Sequence, residues 1–232
     1  MSQMPHDVPI PAPMVAPLAG RARLGAYLNM TFVDHGFIRA VYCNVHRASP
    51  AMWRAAQPLP RQLRWAKAKG VRTVLNLRGR REACGSYRIE REVCAKLGLS
   101  LVDFRVRSRE MPARGTLHAA RELFRTIEYP VLMHCKSGSD RAGFMSAFYL
   151  HLHEGVPFAA AIGQLSLRYG HVARGRTGML DYFFERYRQD TGGDAARFDD
   201  WLDRVYDPAA FTESFRDSKF ANFLIDRILG RE

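Results

Sequence analysis

The chain of 232 residues is long enough for one substantial core with an appended helical part, and its contents of 47% hydrophobic and 25% charged residues are typical of a globular protein. The formal net charge is +12, and 30 of the 35 basic residues are Arg, which favours phosphate-rich substrates or an anionic membrane surface as partners. No stretch of about 18 uninterrupted apolar residues predicts a transmembrane helix, and no helix-turn-helix, RNA-recognition or zinc signature predicts binding to nucleic acid.

The first 50 residues divide into two predicted segments. Residues 1–22 contain five of the twelve prolines, which predicts a disordered or extended lead-in. Residues 23–50 form a predicted amphipathic helical segment, in which apolar side chains recur at helical spacing in two sets separated by Gly36. The sets are Leu24, Tyr27, Leu28 and Phe32, followed by Phe37, Ile38, Val41, Tyr42 and Val45. Such helices lie on a lipid surface or pack on the core of the domain, and their short length favours packing on the core.

Residues 51–190 are predicted to form the main domain, because helix and strand patterns alternate along them. The helical patterns are PRQLRWAKAKG, SYRIEREVCAKLG and ARGTLHAARELFRTIE, of which the first two end at Gly70 and Gly98. The strand patterns are VRTVLNL, LSLVDFRV and VLMH. This alternation predicts an α/β fold in which a central, mostly parallel sheet is flanked by helices.

The remainder of the chain is predicted to be helical. Breaks are expected at residues 155–157, 170–178 and 192–193 and at Pro208, where Gly or Pro interrupts the pattern. Residues 191–232 are predicted to form a helical extension packed on the domain. Its apolar side chains near helical spacing are Phe211, Phe215, Phe220, Phe223 and Leu224.

The most informative stretch is VLMHCKSGSDRAGF, residues 131–144, in which Cys135 ends a predicted strand and Arg141 begins a predicted helix. Ligands of α/β sheets bind beyond the carboxyl ends of the strands, and the N-terminus of a helix there offers unpaired N–H groups to phosphate. Small residues let the backbone curl around one anion, and a positive φ is expected at Gly138. The candidate phosphate-binding residues are Lys136, Ser137, Gly138, Ser139, Asp140 and Arg141.

Cys135 is the candidate nucleophile. The N-terminus of a helix and a neighbouring guanidinium both favour the thiolate form, and Arg141 offers a fork for two phosphate oxygens. Attack of the thiolate on a phosphate monoester gives a cysteinyl-phosphate that water then hydrolyses. No metal or cofactor is expected, because the protein supplies both the nucleophile and the positive charge. The alternative is an inert buried thiol with Arg141 as a surface charge.

These residues match His-Cys-x-x-Gly-x-x-Arg, the signature loop of the cysteine-dependent protein tyrosine phosphatase superfamily. Over roughly residues 50 to 170 the chain resembles its compact bacterial branch of dual-specificity-like enzymes. In particular, WRAAQPLPRQLRWAKAKGVRTVLNLRG resembles the entry segment of that branch, where Arg-x-Ala-Gln-Pro precedes a helix, a strand and a Leu-Arg-Gly turn. The resemblance implies a phosphoric monoester hydrolase that works through a cysteinyl-phosphate. Of the loop neighbours, His134 is expected to orient the loop backbone.

The resemblance also implies a general acid that protonates the leaving oxygen. Family members usually take it from an aspartate about thirty residues before the cysteine. Asp103 has this separation but lies within a predicted strand, and Glu110 lies on the following loop but differs in residue type. Some branches, notably phosphoinositide phosphatases, have Cys-x-x-x-x-Asp-Arg and use the loop aspartate. Asp140 is therefore favoured over Asp103 and Glu110, because it lies within the anion-binding loop.

Ala142 departs from the family pattern, in which Ser or Thr follows the arginine and stabilises the departing thiolate. Hydrolysis of the cysteinyl-phosphate is expected to be slow unless Ser137 or Ser139 substitutes for that hydroxyl. The phosphoenzyme is then expected to accumulate in burst kinetics.

Basic residues are expected around the mouth of the loop, and together they suit a polyanionic or membrane-bound phosphate better than an isolated phosphotyrosine. They are Arg78, Arg80, Arg81, Arg105, Arg107, Arg109, Lys136, Arg168, His171, Arg174 and Arg176. The substrate class stays open. The first hypothesis is a phosphoprotein, and the alternative is a phosphoinositide, a glycerophospholipid or a lipid A phosphate at the membrane surface.

The cysteines indicate a reducing compartment. Cys43, Cys84, Cys94 and Cys135 include no C-x-x-C pair, which argues against a redox pair or a zinc knuckle. The first 20 residues lack the basic and apolar regions of a secretory signal. A cytoplasmic enzyme is expected, with peripheral contact to an anionic inner membrane as a further expectation.

Overall fold

The computed structural model describes residues 10–11, 17–173 and 177–217, and it confirms the α/β prediction. A six-stranded sheet contains β1 Ile10–Pro11, β2 His46–Arg47, β3 Met52–Ala56, β4 Thr73–Asn76, β5 Ser100–Asp103 and β6 Val131–Cys135, in the order β1-β5-β4-β6-β3-β2. The four central strands are parallel, and the short strands at the two edges are antiparallel to their neighbours. The register places Cys135 beside Ala56 and His134 beside Asn76, so the strands end together at the edge that holds the cysteine.

Helices cover both faces of this sheet. They are α1 Gly20–Leu28, α2 Gly36–Val41, α3 Pro60–Ala68, α4 Gly85–Leu97, α5 Arg114–Thr126, α6 Asp140–Leu152, α7 Phe158–Ala161, α8 Gly178–Thr191 and α9 Phe198–Arg204. A π-helical turn, Asn29–Val33, joins α1 to the loop before α2, and residues 208–217 are helical. The predicted ends of α3 and α4 are confirmed, because Gly70 and Gly98 adopt φ values of 82° and 61° that disfavour other residues.

The core forms on both sides of the sheet because successive side chains of a strand point to opposite faces. On β6, Met133 joins the large cluster formed with α5, α6, α8 and α9, whereas Leu132 joins the cluster formed with α3 and α4. Helix α6, which follows the cysteine loop, is buried at every position from Ala142 to His151. The loop is therefore fixed at both ends by buried elements.

The predicted C-terminal extension contacts the same core where it is described. Phe198 and Trp201 of α9 are buried with α8, and Phe211 and Phe215 join that cluster. The predicted apolar residues Phe220, Phe223 and Leu224 lie outside the described residues. Of the segment 1–22, predicted to be disordered or extended, Ile10–Pro11 is extended and pairs with β5. Residues 20–22 begin α1, which corrects the prediction for those positions. Residues 1–9 and 12–16 lie outside the described part.

The N-terminal helices contact the domain through small residues rather than through the predicted apolar sets. Ala26 and Met30 are buried against Ile89 of α4. A Cβ at Gly85 would lie 2.1 Å from the backbone oxygen of Ala26, so the two helices touch through their backbones. The expectation that the apolar sets pack on the core is wrong for most of their members. Those exposed to solvent are Leu24, Leu28, Phe32, Phe37, Ile38, Val41 and Tyr42.

Within the described residues, no helix combines the length and the apolar character that crossing a bilayer requires.

Candidate active site

The turn from Cys135 to Arg141 joins the end of β6 to the beginning of α6, as the sequence predicts. Gly138 has a φ of 76°, which confirms the expected positive value, and its N–H donates to the sulfur of Cys135 at 3.2 Å. Cys135 is 1% exposed and lies inside the curl of the turn. Lys136, Ser137, Gly138, Ser139, Asp140 and Arg141, all predicted to bind phosphate, form this one turn.

The turn lies directly on the end of β3. A Cβ at Gly138 would lie 2.7 Å from the carbonyl carbon of Ala55 and 2.7 Å from the backbone nitrogen of Ala56. The N–H of Gln57 donates to the backbone oxygen of Lys136 at 3.3 Å. Glycine is thus required at this position both for its φ and for the close approach of the two backbones.

Arg54 of β3 holds the turn from behind. It is 0% exposed, and its guanidinium donates to the backbone oxygens of Gly138 at 2.6 Å, Ser139 at 3.1 Å and Gln164 at 2.6 Å. Burial lowers the pKa of Arg54 to about 10, although the nearby Cys135 acts in the opposite direction, so the side chain is cationic at neutral pH. A buried positive charge therefore lies behind the turn, bound to its backbone oxygens.

Asn44 holds the turn from a second side. It adopts a φ of 45°, and its Nδ2 donates to the backbone oxygens of Ser137 at 2.9 Å and Tyr169 at 3.0 Å. The carbonyl oxygens of the turn are thus bound by Arg54 and Asn44. Several of its N–H groups have no acceptor within the described residues and remain available to an anion. They are those of Ser137, Ser139, Asp140 and Arg141.

Asp140, the favoured general acid, belongs to a cluster with a buried histidine. Its Oδ1 lies 2.8 Å from Nδ1 of His171, and Nε2 of His171 lies 2.9 Å from Oδ2 of Asp181 on α8. Burial acts to lower the pKa of His171, but its hydrogen bonds to the two carboxylates outweigh this and raise the pKa to about 9. The sequence placed His171 among the free basic residues of the loop mouth. This is wrong, because its charge is shared between Asp140 and Asp181.

The two alternative acids are placed differently. Asp103 is buried on β5, where Oδ1 accepts from Asn76 at 2.7 Å and Oδ2 accepts from Tyr87 at 2.5 Å. Burial raises the pKa of Asp103. Both of its oxygens thus have partners, Asn76 on β4 and Tyr87 on α4. Glu110 lines the cleft beside Arg141 but forms an exposed ion pair with Arg107 at 2.8 Å.

A chain of buried polar groups connects the loop to the N-terminal segment. His134 contacts Glu90 at 2.9 Å, and Gln57 donates to Glu90 at 2.7 Å. Arg78 donates to Gln57 at 2.8 Å and binds Asp34 with both terminal nitrogens at 2.8 Å. The prediction that Arg78 is a solvent-exposed charge at the loop mouth is therefore wrong, because its guanidinium is buried and hydrogen-bonded to Asp34 and Gln57. The sequence alone offered no partner for it.

A basic cleft of about 570 Å³ opens beside Arg141. Seven arginines line it: Arg78, Arg80, Arg81, Arg105, Arg107, Arg109 and Arg141. Arg80 and Arg107 pair with Glu82 and Glu110. Four of these seven guanidinium groups have no hydrogen-bond or ion-pair partner within residues 10–11, 17–173 and 177–217. These belong to Arg81, Arg105, Arg109 and Arg141. Of the other predicted basic residues, Arg168 lies over the ring of Tyr169, and Arg174 and Arg176 lie outside the described residues.

A second cavity, of about 360 Å³, adjoins the loop on the side of α2. Asp140, Arg141 and Lys136 line it together with Ile38 and Tyr42. The mouth of the loop therefore has a cationic side and a partly apolar side.

Four residues of the site were not assigned from the sequence: Asp34, Asn44, Arg54 and Asp181. Arg54 lies in the Arg-x-Ala-Gln-Pro element of the entry segment, which was the one available signal. The others belong to no motif, and Asn44 and Arg54 are 93 and 84 residues from their partners in the turn.

The fold resembles those of solved phosphatase structures. TpbA of P. aeruginosa is 21% identical, with a TM-score of 0.53 over 70% of this chain and 92% of that chain. PTPMT1 is 21% identical, with a TM-score of 0.46 over 65% of this chain and 99% of that chain. Tk-PTP is 17% identical, with a TM-score of 0.48 over 62% of this chain and 97% of that chain. At these identities the likeness to TpbA shows the fold alone. A search of curated proteins gives no match.

A parallel strand that ends in a cysteine, a phosphate-sized turn and an arginine at the start of a helix are characteristic of the cysteine-dependent phosphatases. The family model described as "DSP-PTPase phosphatase fused to NAD+ Kinase" matches residues 38–174, which is more than half of the chain, and the chain belongs to that family. It is a phosphoric monoester hydrolase of the DSP-PTPase family.

Proposed function

We propose that the chain hydrolyses phosphate monoesters through a phosphorylated Cys135. The observation that carries this proposal is the sulfur of Cys135 inside a turn whose carbonyl oxygens are bound from behind, while its N–H groups have no acceptor among the described residues. Such a turn offers several donors to one phosphoryl group, and Arg141 adds a cationic fork without a partner in the described part of the chain.

The reaction has two steps. The thiolate of Cys135 attacks phosphorus, so that a sulfur–phosphorus bond forms as the bond to the leaving oxygen breaks. The turn amides and Arg141 hold the three equatorial oxygens through both steps. Water then attacks phosphorus, the sulfur leaves as thiolate, and inorganic phosphate is released.

Asp140 is the proposed general acid of the first step and the base of the second. It belongs to the turn itself, whereas the carboxylate of Asp103 is bound by Asn76 and Tyr87 and that of Glu110 is bound to Arg107. His171 acts as a positioning residue, because it orients the Asp140 carboxylate and holds a proton 2.8 Å from it. In the first step the proton on Nδ1 of His171 passes through the Asp140 carboxylate to the leaving oxygen. In the second step Asp140 takes a proton from the attacking water and returns it to His171.

The test compares wild type with Cys135→Ser on p-nitrophenyl phosphate, with Cys43→Ser as the matched control. Cys43 is a free cysteine outside the turn. Cys135→Ser is expected to lose on the order of 10⁴-fold in kcat, because the hydroxyl is a far weaker nucleophile. Cys43→Ser is expected to stay near wild type. Substantial turnover by Cys135→Ser would refute the proposal.

The substrate follows from two observations. The family is of the dual-specificity type, which makes a phosphoprotein the first candidate. The second candidate, a phospholipid phosphate, is supported by the cleft in which Arg81, Arg105 and Arg109 are unpaired among the described residues, because several free guanidinium groups suit a substrate with more than one anionic group. Rates on phosphotyrosine and phosphothreonine peptides, compared with rates on phosphoinositides and phosphatidic acid, distinguish these candidates.

A further inference from the structure

Large apolar side chains are concentrated on one exposed part of the molecule. Of the eleven large hydrophobic residues that are exposed in the described part of the chain, eight lie between residues 24 and 42. We call them the apolar face: Leu24, Leu28, Phe32, Val33, Phe37, Ile38, Val41 and Tyr42. Val41 is 91% exposed and Phe32 is 67% exposed. A concentration of exposed apolar side chains within nineteen residues indicates a surface that binds a protein or a membrane.

The apolar face is held rigidly, so its exposure is not the result of a loose end. Asp34, in the middle of the segment, is buried and binds both terminal nitrogens of Arg78 at 2.8 Å. Arg39 of α2 lies 3.2 Å from the same carboxylate and donates to Ser86 of α4 at 2.9 Å. The buried charges anchor one side of the segment while its apolar side chains point outward.

The apolar face also borders the proposed active site. Ile38 and Tyr42 line the same cavity as Asp140 and Arg141. Lys136, the residue after the proposed nucleophile, lies 3.8 Å from Asp34. A group that enters this cavity therefore passes the apolar face on one side and the cationic cleft on the other.

Within residues 17–47, the segment that carries the apolar face, the exposed charged side chains are all basic. Asp34 is the sole acidic residue in the sequence from residue 17 to residue 47, and it is buried. On the other side of the loop, Arg81, Arg105 and Arg109 have no partner among the described residues. Apolar groups next to free cationic groups match the interface of a bilayer, where anionic headgroups lie directly above hydrocarbon. A second copy of this chain, with its net charge of +12, offers no such complement.

We propose that the apolar face inserts into the surface of an anionic phospholipid bilayer and holds the Cys135 turn against phosphate monoesters of lipid headgroups. This inference rests on the proposed phosphatase function and selects its second substrate candidate. Most of the apolar face precedes residue 38, where the family match begins, so the surface belongs to this chain rather than to the matched region. Binding is by insertion of short amphipathic helices, and it scales with buried apolar area and anionic lipid content.

The experiment uses the full chain and vesicles of phosphatidylcholine with about 30% phosphatidic acid, a lipid phosphate monoester. The test variant is Phe32→Gln/Val41→Gln. The control is Val205→Gln, which replaces a residue that is 50% exposed outside the apolar face. Sedimentation with vesicles measures binding, turnover of p-nitrophenyl phosphate measures the active site alone, and release of phosphate from the vesicles measures both.

Wild type and the control are expected to bind the vesicles and to hydrolyse both substrates. The test variant is expected to bind at least about tenfold more weakly and to lose vesicle turnover in proportion, with unchanged turnover of p-nitrophenyl phosphate. The proposal is overturned if the test variant binds vesicles as tightly as wild type, or if wild type does not bind. It is also overturned if wild type is a dimer that the test variant dissociates, or if it binds only after residues 218–232 are removed.

Cys135→Ser separates this proposal from the phosphatase proposal. It is expected to bind vesicles as wild type does and to hydrolyse neither substrate. Vesicle binding with persistent hydrolysis by Cys135→Ser contradicts the chemistry and leaves docking in place. Normal hydrolysis of p-nitrophenyl phosphate by wild type without vesicle binding contradicts docking alone.

Discussion

The turn at the end of the sheet and the helical segment beside it place their side chains in opposite ways. Behind the turn, the charged Arg54 is fully buried, whereas in the segment the aliphatic Val41 is 91% exposed. Arg54 tolerates burial because backbone oxygens of the turn accept its hydrogen bonds. Val41 has no apolar neighbour to cover it within the described chain, and the proposed bilayer contact supplies one. Polarity alone therefore predicts neither position.

Arg54→Met removes the buried cation behind the turn and is expected to have the largest effect. The backbone oxygens of Gly138, Ser139 and Gln164 lose their donor, which is expected to cost about 3 kcal/mol or more in the free energy of unfolding. Turnover of p-nitrophenyl phosphate is expected to fall on the order of 10³-fold, because the turn amides lose their fixed direction. Urea unfolding and steady-state kinetics measure the two effects.

The matched control is Arg47→Met on the neighbouring strand β2, where the arginine is exposed. It is expected to change stability by less than about 0.5 kcal/mol. Equal behaviour of the two variants would show that Arg54 does not support the turn.

Gly138→Ala tests the contact between the turn and β3. The added methyl group would lie 2.7 Å from backbone atoms of Ala55 and Ala56 and would have to displace the turn. A loss of about 100-fold in kcat is expected, because small shifts of catalytic donors have effects of this size. Gly155→Ala is the control, since Gly155 has a φ of 70° but no atom near its missing Cβ. It is expected to lose about 1 kcal/mol of stability and no activity. A normal rate for Gly138→Ala contradicts the geometry of the turn.

Asp34→Asn removes the buried carboxylate that connects the N-terminal helical segment to Arg78 beside the active-site turn. Burial acts to raise the pKa of Asp34, but the hydrogen bonds from Arg78 and Ser86 and the charges of Arg78 and Arg39 hold it far below its usual value. The stabilisation by a carboxylate with a depressed pKa is fully present above the pKa of the unfolded state, about 3.9, and is lost as the pH falls below it. The free energy of unfolding of wild type is thus expected to exceed that of Asp34→Asn by about 3 kcal/mol at pH 7. This difference is expected to shrink below about pH 4.

Urea unfolding at several pH values measures this difference. Glu82→Gln, which removes an exposed partner of Arg80, is expected to change stability by less than about 0.5 kcal/mol at every pH. If the difference between wild type and Asp34→Asn does not depend on pH, the carboxylate is not the anchor. Loss of vesicle binding in Asp34→Asn would show that the Asp34 carboxylate orients the apolar face.

His171→Asn tests the cluster around Asp140. The pKa of His171 is raised to about 9, so its stabilisation is fully present below the usual value of about 6.5 and is lost as the pH rises through about 9. The free energy of unfolding of wild type is expected to exceed that of the variant by about 1–2 kcal/mol at pH 6 and by little at pH 10. The value at pH 6 is reduced because the two carboxylates are partly exposed to solvent. The kcat is expected to fall about tenfold, with a shifted alkaline limb of the pH–rate profile.

His118→Asn is the control for this prediction, because His118 contacts Asp203 at 2.7 Å on the exposed surface. Its pH–rate profile is expected to match that of wild type. An unchanged profile in His171→Asn as well would mean that the cluster only supports the fold.

Ala142→Ser is expected to have the smallest effect. In wild type the residue after Arg141 offers no hydroxyl to the departing sulfur, so stopped-flow measurements are expected to show a burst followed by slow turnover. The variant is expected to hydrolyse the cysteinyl-phosphate a few-fold faster than wild type, because the activation free energy of this step falls by about 1 kcal/mol or less. Ala147→Ser, in the buried interior of the same helix, is expected to leave it unchanged. Equal burst and steady rates in wild type would contradict the expectation.

Much of the fold could be predicted because its signals are local. The strand before Cys135, the helix after it and the positive φ of Gly138 follow from residues that are neighbours in the chain. The helix ends at Gly70 and Gly98 follow from the backbone freedom of glycine in the same way. The fold class follows from the alternation of such local signals.

The partners of the turn could not be predicted. Arg54 and Asn44 reach it because β3 lies next to β6 in the sheet and Asn44 precedes β2, at the end of the sheet. Arg54 and Arg78 lie in elements of the entry segment, but those elements do not predict that these two arginines are buried while Arg80 and Arg105 are exposed. The contact of Asp140 with His171 and Asp181 likewise depends on how α8 returns to the loop.

The sequence by itself determined the alternation of helices with the strands β4, β5 and β6 and the reactive turn, because backbone preferences and side-chain periodicity act over a few residues. The strands β1, β2 and β3 were not predicted. Only the tertiary structure decided which charges are buried, which carboxylates bind the same histidine and that the apolar side chains of the N-terminal helices face outward. These features depend on groups that are distant in the chain, and the packing of the sheet and helices sets the distances between them.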